Sequence, residues 1–327
     1  MKIVVALLLA VLLLPSCIKS YKYDEGQFPD KPVNMVEFNT EFNDYNSAMP
    51  ASLIDVFPLL FSSDRGGGNY DIVKEYVSIS FDREDGDFNL NNSMSGNLDI
   101  SNSYVVLGKI PRLINTDSNE MGPYIMESYP EGYNKYDGLF RVLYASDKNG
   151  NLDVYYTSNT ANQADFSAPV PVTLINTHHN DAYPSFNEDH TTLYFTSDRG
   201  GNFDVYSTPV NGDFEAKLTG SAGTEITKEM VLSSDYDDKC PYVNGDFIVF
   251  TSNRPGGFGG FDLYYSKKVG NNWTTPVNFG AEINTEKDEY RPVVARFNFY
   301  KNNLMIFSSN RDGGKGGFDL YYVGINK

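Results

Sequence analysis

The sequence predicts an all-β chain, a five-bladed β-propeller of four-stranded antiparallel blades, and three observations predict it. First, a strand-like run ends in Ser or Ala, then Asp or Asn, a basic residue and glycines, and resumes with Asp and aromatic or aliphatic residues. It occurs five times: LLFSSDRGGGNYDIV from Leu59, VLYASDKNGNLDVYY from Val142, LYFTSDRGGNFDVYS from Leu193, IVFTSNRPGGFGGFDLYY from Ile248 and MIFSSNRDGGKGGFDLYY from Met305. Second, a segment of the form Ile-Asn-Thr-x-x-Asn/Asp-Asp/Glu-x-x-Pro precedes each hairpin, clearest from Ile114, Ile175 and Ile283 and degenerate from Phe38 and Ser233. Third, PVNMVEFNTE from Pro32 matches PVNFGAEINTE from Pro276 with a one-residue gap. Repetition of two motifs in fixed order decides the architecture before any single residue is weighed.

Within each copy the runs are rich in β-branched and aromatic residues and are bounded by Gly, Asn and Asp, which marks strands joined by a hairpin. No helical period of useful length is present. Each unit then holds an inner strand after the Pro, the two hairpin strands, and an outer strand such as Val170 to Leu174 or Val277 to Phe279. The fifth unit stops at Val323 without an outer strand. The segment Lys31 to Phe38 is expected to supply it and close the ring, removing an exposed sheet edge. The longer interval between the first two copies is assigned to an insertion over about 82–103, rich in Asp, Asn, Ser and Gly, a length of loop that is either functional or disordered.

The N-terminus reads as an export signal over 1–16: Lys2, an apolar run from Ile3 to Leu14, then Pro15-Ser16 before Cys17. The run is shorter than the about 20 residues a membrane-spanning helix needs. Residues before Cys17 resemble a bacterial lipobox, which implies lipid on Cys17, a lipidated tether over 17–30, a propeller over 31–327, and a lipid-anchored place in the bacterial cell envelope, at the outer membrane. Cys240 is the other cysteine, so with Cys17 lipidated no intramolecular disulfide forms. The formal charge of -17 excludes nucleic acid as a partner, because no Lys/Arg stripe exists to neutralise phosphates.

The LYFTSDRGGNFDVYS pattern is similar to the TolB-type propeller repeat, an architectural relative of WD-repeat propellers, over essentially 31–327. The second copy departs from it at Lys148 and Asn149, and five copies depart from the six blades of TolB itself. The resemblance implies a non-catalytic envelope lipoprotein whose face binds a protein partner or a glycan. The alternative is a glycoside hydrolase on a five-bladed propeller.

The leading loops and hairpin turns lie on one face of such a ring. They form the candidate binding face: Asp44, Glu120, Asp181, Asp238 and Glu289, with Arg65, Lys148, Arg199, Arg254 and Arg311, and His178 and His179. Because the acids and arginines recur in every blade, the economical reading is structural: carboxylates by tight turns accept backbone N–H bonds or pair with the arginine fork. The same reading covers Asp71, Asp153, Asp204, Asp262 and Asp319. An acidic ring holding a cation such as calcium is the functional alternative. Asp147-Lys148-Asn149-Gly150-Asn151-Leu152-Asp153 alternates oxygen ligands as a calcium loop does, but its Gly is misplaced and the downstream Glu is absent. His178, His179 and His190 offer zinc chemistry only if the fold gathers them. Asp137, Asp213 and Glu225 break the repeat, yet nothing in the sequence orders them into a hydrolytic pair. The abundant Tyr and Phe residues could supply sugar-stacking platforms, but most sit at repeat positions within strands, which marks them as core, and Trp273, just before an outer strand, resembles the family's packing Trp.

Overall fold

The computed structural model describes residues 21–50, 55–93, 105–128, 139–159, 165–220 and 225–327. The ordered strands begin with β1 (Val33–Asn34), and five antiparallel blades follow. Blade one is β2 (Asp44–Ala48), β3 (Val56–Ser63), β4 (Asp71–Phe81) and β5 (Phe88–Asn92). Blade two is β6 (Glu120–Ser128), β7 (Leu139–Ser146), β8 (Asp153–Ser158) and β9 (Val170–Pro171). Blade three is β10 (Asp181–Phe186), β11 (Thr192–Ser197), β12 (Asp204–Pro209) and β13 (Thr227–Lys228). Blade four is β14 (Asp238–Asn244), β15 (Phe247–Ser252) and β16 (Asp262–Val269), whose edge pairs both with β17 (Asn272–Trp273) and with β18 (Val277–Asn278). Blade five is β19 (Glu289–Ala295), β20 (Asn303–Ser309) and β21 (Asp319–Ile325), and β1 is its fourth strand.

The ring closes as expected. Val33 pairs with Tyr322 and Asn34 with Tyr321. The Asn of the Asn-Thr motif carries the seam: Asn39 donates to the Leu320 carbonyl at 3.0 Å and accepts from its N–H at 2.8 Å. Asn115, Asn176 and Asn284 do the same to Ile72, Val154 and Leu263, so the closing contact repeats the contact between successive blades. The packed domain starts before Lys31. Gly26 bridges Tyr300, and Phe28, fully buried, stacks on Tyr300 with ring centroids 4.3 Å apart, so residues 26–30 of the expected tether lie against blade five.

Two differences from the sequence reading have local causes. Part of the expected insertion is β5, the outer strand of blade one; its Phe88 packs on Phe28 and Tyr322, which makes it part of the closure. Phe88, Asn89, Leu90 and Asn91 do alternate apolar with polar, as their burial does, but the alternation is brief and sits in a stretch rich in Asp and Asn. Residues 94–103 lie outside the described residues. Two five-residue helices, α1 (Ile110–Ile114) and α2 (Phe214–Leu218), are also present. Asp213 caps α2, accepting from the Ala216 N–H at 3.0 Å, which gives that repeat-breaking acid a structural task. Glu225 is exposed, and Asp137 lies outside the described residues.

Each inner strand carries a bulge at which one residue adopts a left-handed conformation: Asn46, Gly122, Tyr183, Cys240 and Arg291. Four bulge N–H groups are held by a hydroxyl of the preceding blade: Gly122 by Ser62, Cys240 by Thr196, Arg291 by Thr251 and Asn46 by Ser308. Blade two has Ala145 at that position, and its neighbour Tyr183 receives no such hydroxyl. A Cβ on Gly122 would lie 2.4 Å from Cδ1 of Tyr183, so only glycine fits there.

Candidate functional site

The five recurring carboxylates Asp44, Glu120, Asp181, Asp238 and Glu289 start the inner strands and are wholly buried. Each accepts from the backbone N–H and hydroxyl of the Thr or Ser four residues earlier: Thr40, Thr116, Thr177, Ser234 and Thr285. In four blades an arginine Nη2 completes the site at 2.5 to 3.0 Å, Arg65 on Asp44, Arg199 on Asp181, Arg254 on Asp238 and Arg311 on Glu289. The same nitrogen donates to the carbonyl of Phe38, Ile175, Leu232 or Ile283, and Nε donates to a hairpin serine. The guanidinium also lies about 5 Å over a buried Phe, at 5.1 Å for Phe61 and Phe195. These residues are spent inside the blade and offer nothing to a ligand.

Blade two is the exception. Lys148 turns away to sit 3.7 Å over the Tyr155 ring, and Glu120 keeps only Thr116 and Ser146 as partners. Burial pushes the Glu120 carboxyl above its ordinary value, and it does the same to Glu289 despite Arg311.

A second set of carboxylates is half-buried. Each hairpin turn faces the leading loop of its own blade through one acid and one amide: Asp64 with Asn43, Asp147 with Asn119, Asp198 with Asn180, then with reversed polarity Asn253 with Asp237 and Asn310 with Asp288. The leading-loop member also accepts the N–H of the residue before the third strand of the preceding blade: Tyr70, Leu152, Phe203, Phe261 and Phe318.

Those five half-exposed residues form the rim of the central channel. Below them lie Tyr45, Met121, Lys239 and Tyr290. Tyr45 contacts Tyr70 and Phe318 with ring centroids at 4.9 and 5.7 Å, and Tyr290 meets Phe261 edge-on at 5.5 Å. The Lys239 ammonium sits 4.1 Å over Phe203, 5.0 Å over Phe261, and 3.1 Å from Asp237. Burial holds the Tyr45 and Tyr290 phenols well above their ordinary range, so both stay neutral O–H donors. The mouth is thus an aromatic bowl with one cation and a ring of carboxylates and amides behind it. Such a surface can stack on the apolar faces of a sugar ring while hydrogen bonding its hydroxyls.

The sequence reading named sugar stacking as one use of the aromatics but gave most of them to the core, and so did not find this bowl. The signal was there: the residue before each third-strand Asp, as in NYD, NFD and GFD, is apolar in every copy, at a position where the hairpin leaves a side chain over the channel. Trp273 is a core residue as expected, buried against Tyr194 of the neighbouring blade. His178 and His179 lie on the leading loop of blade three with ring centroids 4.1 Å apart and planes tilted by 42°, and His179 Nδ1 lies 3.4 Å from Asp198. His190 sits apart, in the turn between β10 and β11. Among the described residues no three His, Cys, Asp or Glu side chains gather as metal ligands. Cys17 lies outside the described residues.

No family model matches the chain, and no curated protein sequence does. Solved structures do match it in fold. An endo-arabinase from Bacteroides thetaiotaomicron is 11% identical with a TM-score of 0.55 over 92% of this chain and 98% of that one. An α-L-arabinofuranosidase from Podospora anserina is 11% identical with a TM-score of 0.53 over 93% and 98%. An α-L-arabinofuranosidase from Lactobacillus brevis is 8% identical with a TM-score of 0.50 over 86% and 90%. At such identities the likeness is one of fold.

This corrects three expectations. The resemblance to the TolB-type repeat is overturned, because the solved propellers named above, similar in fold over nearly the full length of this chain, are an endo-arabinase and α-L-arabinofuranosidases and not TolB or WD-repeat proteins. With that assignment goes the non-catalytic binding role, and the expectation that the chain is no enzyme, which rested on it. The physical reason is that the Ser-Asp-Arg-Gly hairpin builds a blade by buried hydrogen bonds and says nothing about which propeller family uses it.

Proposed function

We propose that the chain is a carbohydrate-active enzyme, a glycoside hydrolase that takes an arabinose-containing glycan at the mouth of the central channel. The observation that carries this is the bowl itself: half-exposed aromatic rings around the channel with half-buried carboxylates directly behind them. The likeness in fold to arabinan- and arabinoside-cleaving propellers supports the substrate class.

Hydrolysis of a glycosidic bond uses two carboxyl groups about 5 to 9.5 Å apart, one giving a proton to the leaving oxygen and the other acting as base or nucleophile. The wholly buried ring at Asp44 and its equivalents cannot reach a sugar. The reacting pair therefore belongs to the rim, and Asp237 and Asp288 are its best members. They stand on adjacent blades, and each binds the backbone of a rim phenylalanine, at 3.1 Å to the Phe203 N–H and 2.8 Å to the Phe261 N–H. Tyr290 and Phe261 would supply the stacking platform, and Lys239 would hold Asp237 in place.

The test is sugar release from arabinan and arabinoxylan by the purified chain, followed by chromatography of the products. Asp237→Asn and Asp288→Asn should each lower kcat by about 100-fold or more with unchanged melting, as loss of general acid–base catalysis does, while Asp64→Asn stays active. A chain that releases no sugar from either polymer, or carboxamide variants as active as the parent, would refute the assignment.

A further inference from the structure

Below the bowl the channel contains Arg291, the largest wholly buried polar side chain described. Its Nη2 donates to the carbonyls of Pro123 at 2.9 Å and Gly122 at 3.4 Å, across the channel from blade two. Its Nε and Nη1 have no partner in the protein. The groups whose electrostatics act on it are Cys240, Tyr183, Tyr242 and Tyr124, and no carboxylate is among them. All four stay neutral, the Cys240 thiol and Tyr242 phenol being pushed up to about 12 by burial. In the next blade, at the same bulge position, the Asn46 amide is also buried; it lies beside the Tyr45 and Tyr183 hydroxyls, and both its Nδ2 and Oδ1 lack a well-formed hydrogen bond.

A guanidinium does not lose its proton in a protein, so Arg291 is a permanent buried charge. Buried charges are paired, because leaving one without a counter-charge costs several kcal/mol even after relaxation. Two carbonyl dipoles satisfy one nitrogen and the Tyr183 ring lies 5.5 Å from the guanidinium carbon, but neither is a counter-charge, and Nε and Nη1 keep no hydrogen-bond partner. A water molecule would match the donors and not the charge.

We propose that the channel beneath the mouth binds a small monovalent anion of chloride size, held by Nε and Nη1 of Arg291 and by the amide nitrogen of Asn46. The phenol O–H groups around it are further donors to such an ion. The anion neutralises this buried cation and ties blades one, two and five together through a single centre. It is a structural ligand, independent of the hydrolytic reading, since no glycan reaches Arg291.

Crystals grown in sodium bromide test the site directly: an anomalous peak within hydrogen-bonding distance of Arg291 Nε or Nη1 is expected. In thermal melts at constant ionic strength, chloride should raise Tm by about 5 °C over gluconate when saturating. Arg291→Met and Asn46→Leu should remove that difference; if the arginine variant does not fold, the bromide map and Asn46→Leu decide. Water alone at the site, equal melting in the two salts, or a chloride effect that survives Asn46→Leu would overturn the proposal.

Discussion

Two rings of acidic side chains circle the same face of this propeller, one acid per blade in each, and they do opposite things. In the inner ring Asp44, Glu120, Asp181, Asp238 and Glu289 are sealed from solvent and held by hydroxyl and N–H donors, with a guanidinium added in every blade but the second. In the outer ring Asp64, Asp147, Asp198, Asp237 and Asp288 are half-buried and share one bond pattern that works with the acid on either side of the pair. Recurrence alone therefore does not separate structure from function. What separates them is whether an acid's lone pairs are all taken by the blade itself.

The comparison can be broken at three levels. The largest effect is expected on deleting residues 31–38, which removes β1, the Phe38 carbonyl bound by Arg65, and the closing strand of blade five. The variant should lose cooperative urea unfolding; a transition as sharp as the parent's would show that the ring stands without its seam.

Next is the inner ring. Arg254→Met leaves the Asp238 carboxylate buried without its cation and should cost about 3 to 5 kcal/mol in urea unfolding. Lys148→Arg works in reverse, supplying Glu120 with the guanidinium the other blades have, and should stabilise. The pH dependence checks the mechanism. The folded pKa of Glu120 is raised, so between its ordinary value of 4.5 and that raised value the folded chain keeps a proton the unfolded chain has lost. Its contribution to stability is present below 4.5 and falls away as pH rises through the folded value, and Lys148→Arg should flatten that slope. An unchanged pH profile would mean that the arginine does not reach Glu120.

The smallest effect belongs to the outer ring. Exchanging Asn43 and Asp64, as Asn43→Asp with Asp64→Asn, converts blade one to the polarity that blades four and five already use. Stability should change by less than about 0.5 kcal/mol, the range of ordinary surface substitutions. A loss of several kcal/mol would show that the polarity of each pair is fixed by its own surroundings.

Blade count, hairpin positions and the closing strand were legible because each depends on contacts within one repeat or between successive repeats. Asn39 announces its bond to Leu320 by resembling Asn284 and its bond to Leu263. Short features without a repeat partner were not legible. The strand at Phe88–Asn92 alternates over too few residues to stand out from the polar stretch around it, and α2 is a single turn started by the Asp213 cap. The candidate site was half legible: the leading loops and hairpin turns that the sequence put on one face do carry the recurring acids, yet the sequence reading did not single out Tyr70, Phe203, Phe261 and Phe318.

The sequence by itself determined the frame, since a buried carboxylate, its hydroxyl four residues earlier and its arginine from the next hairpin form a local code that is read in full four times, and a fifth time with Lys148 in place of the arginine. Only the tertiary structure decided what meets at the axis. Asn46, Gly122, Tyr183, Cys240 and Arg291 are brought together there by five strands far apart in the chain, each at a bulge, and no two of them are alike. A channel is made of differences between repeats, and those differences acquire chemical meaning only when closure of the ring sets them face to face.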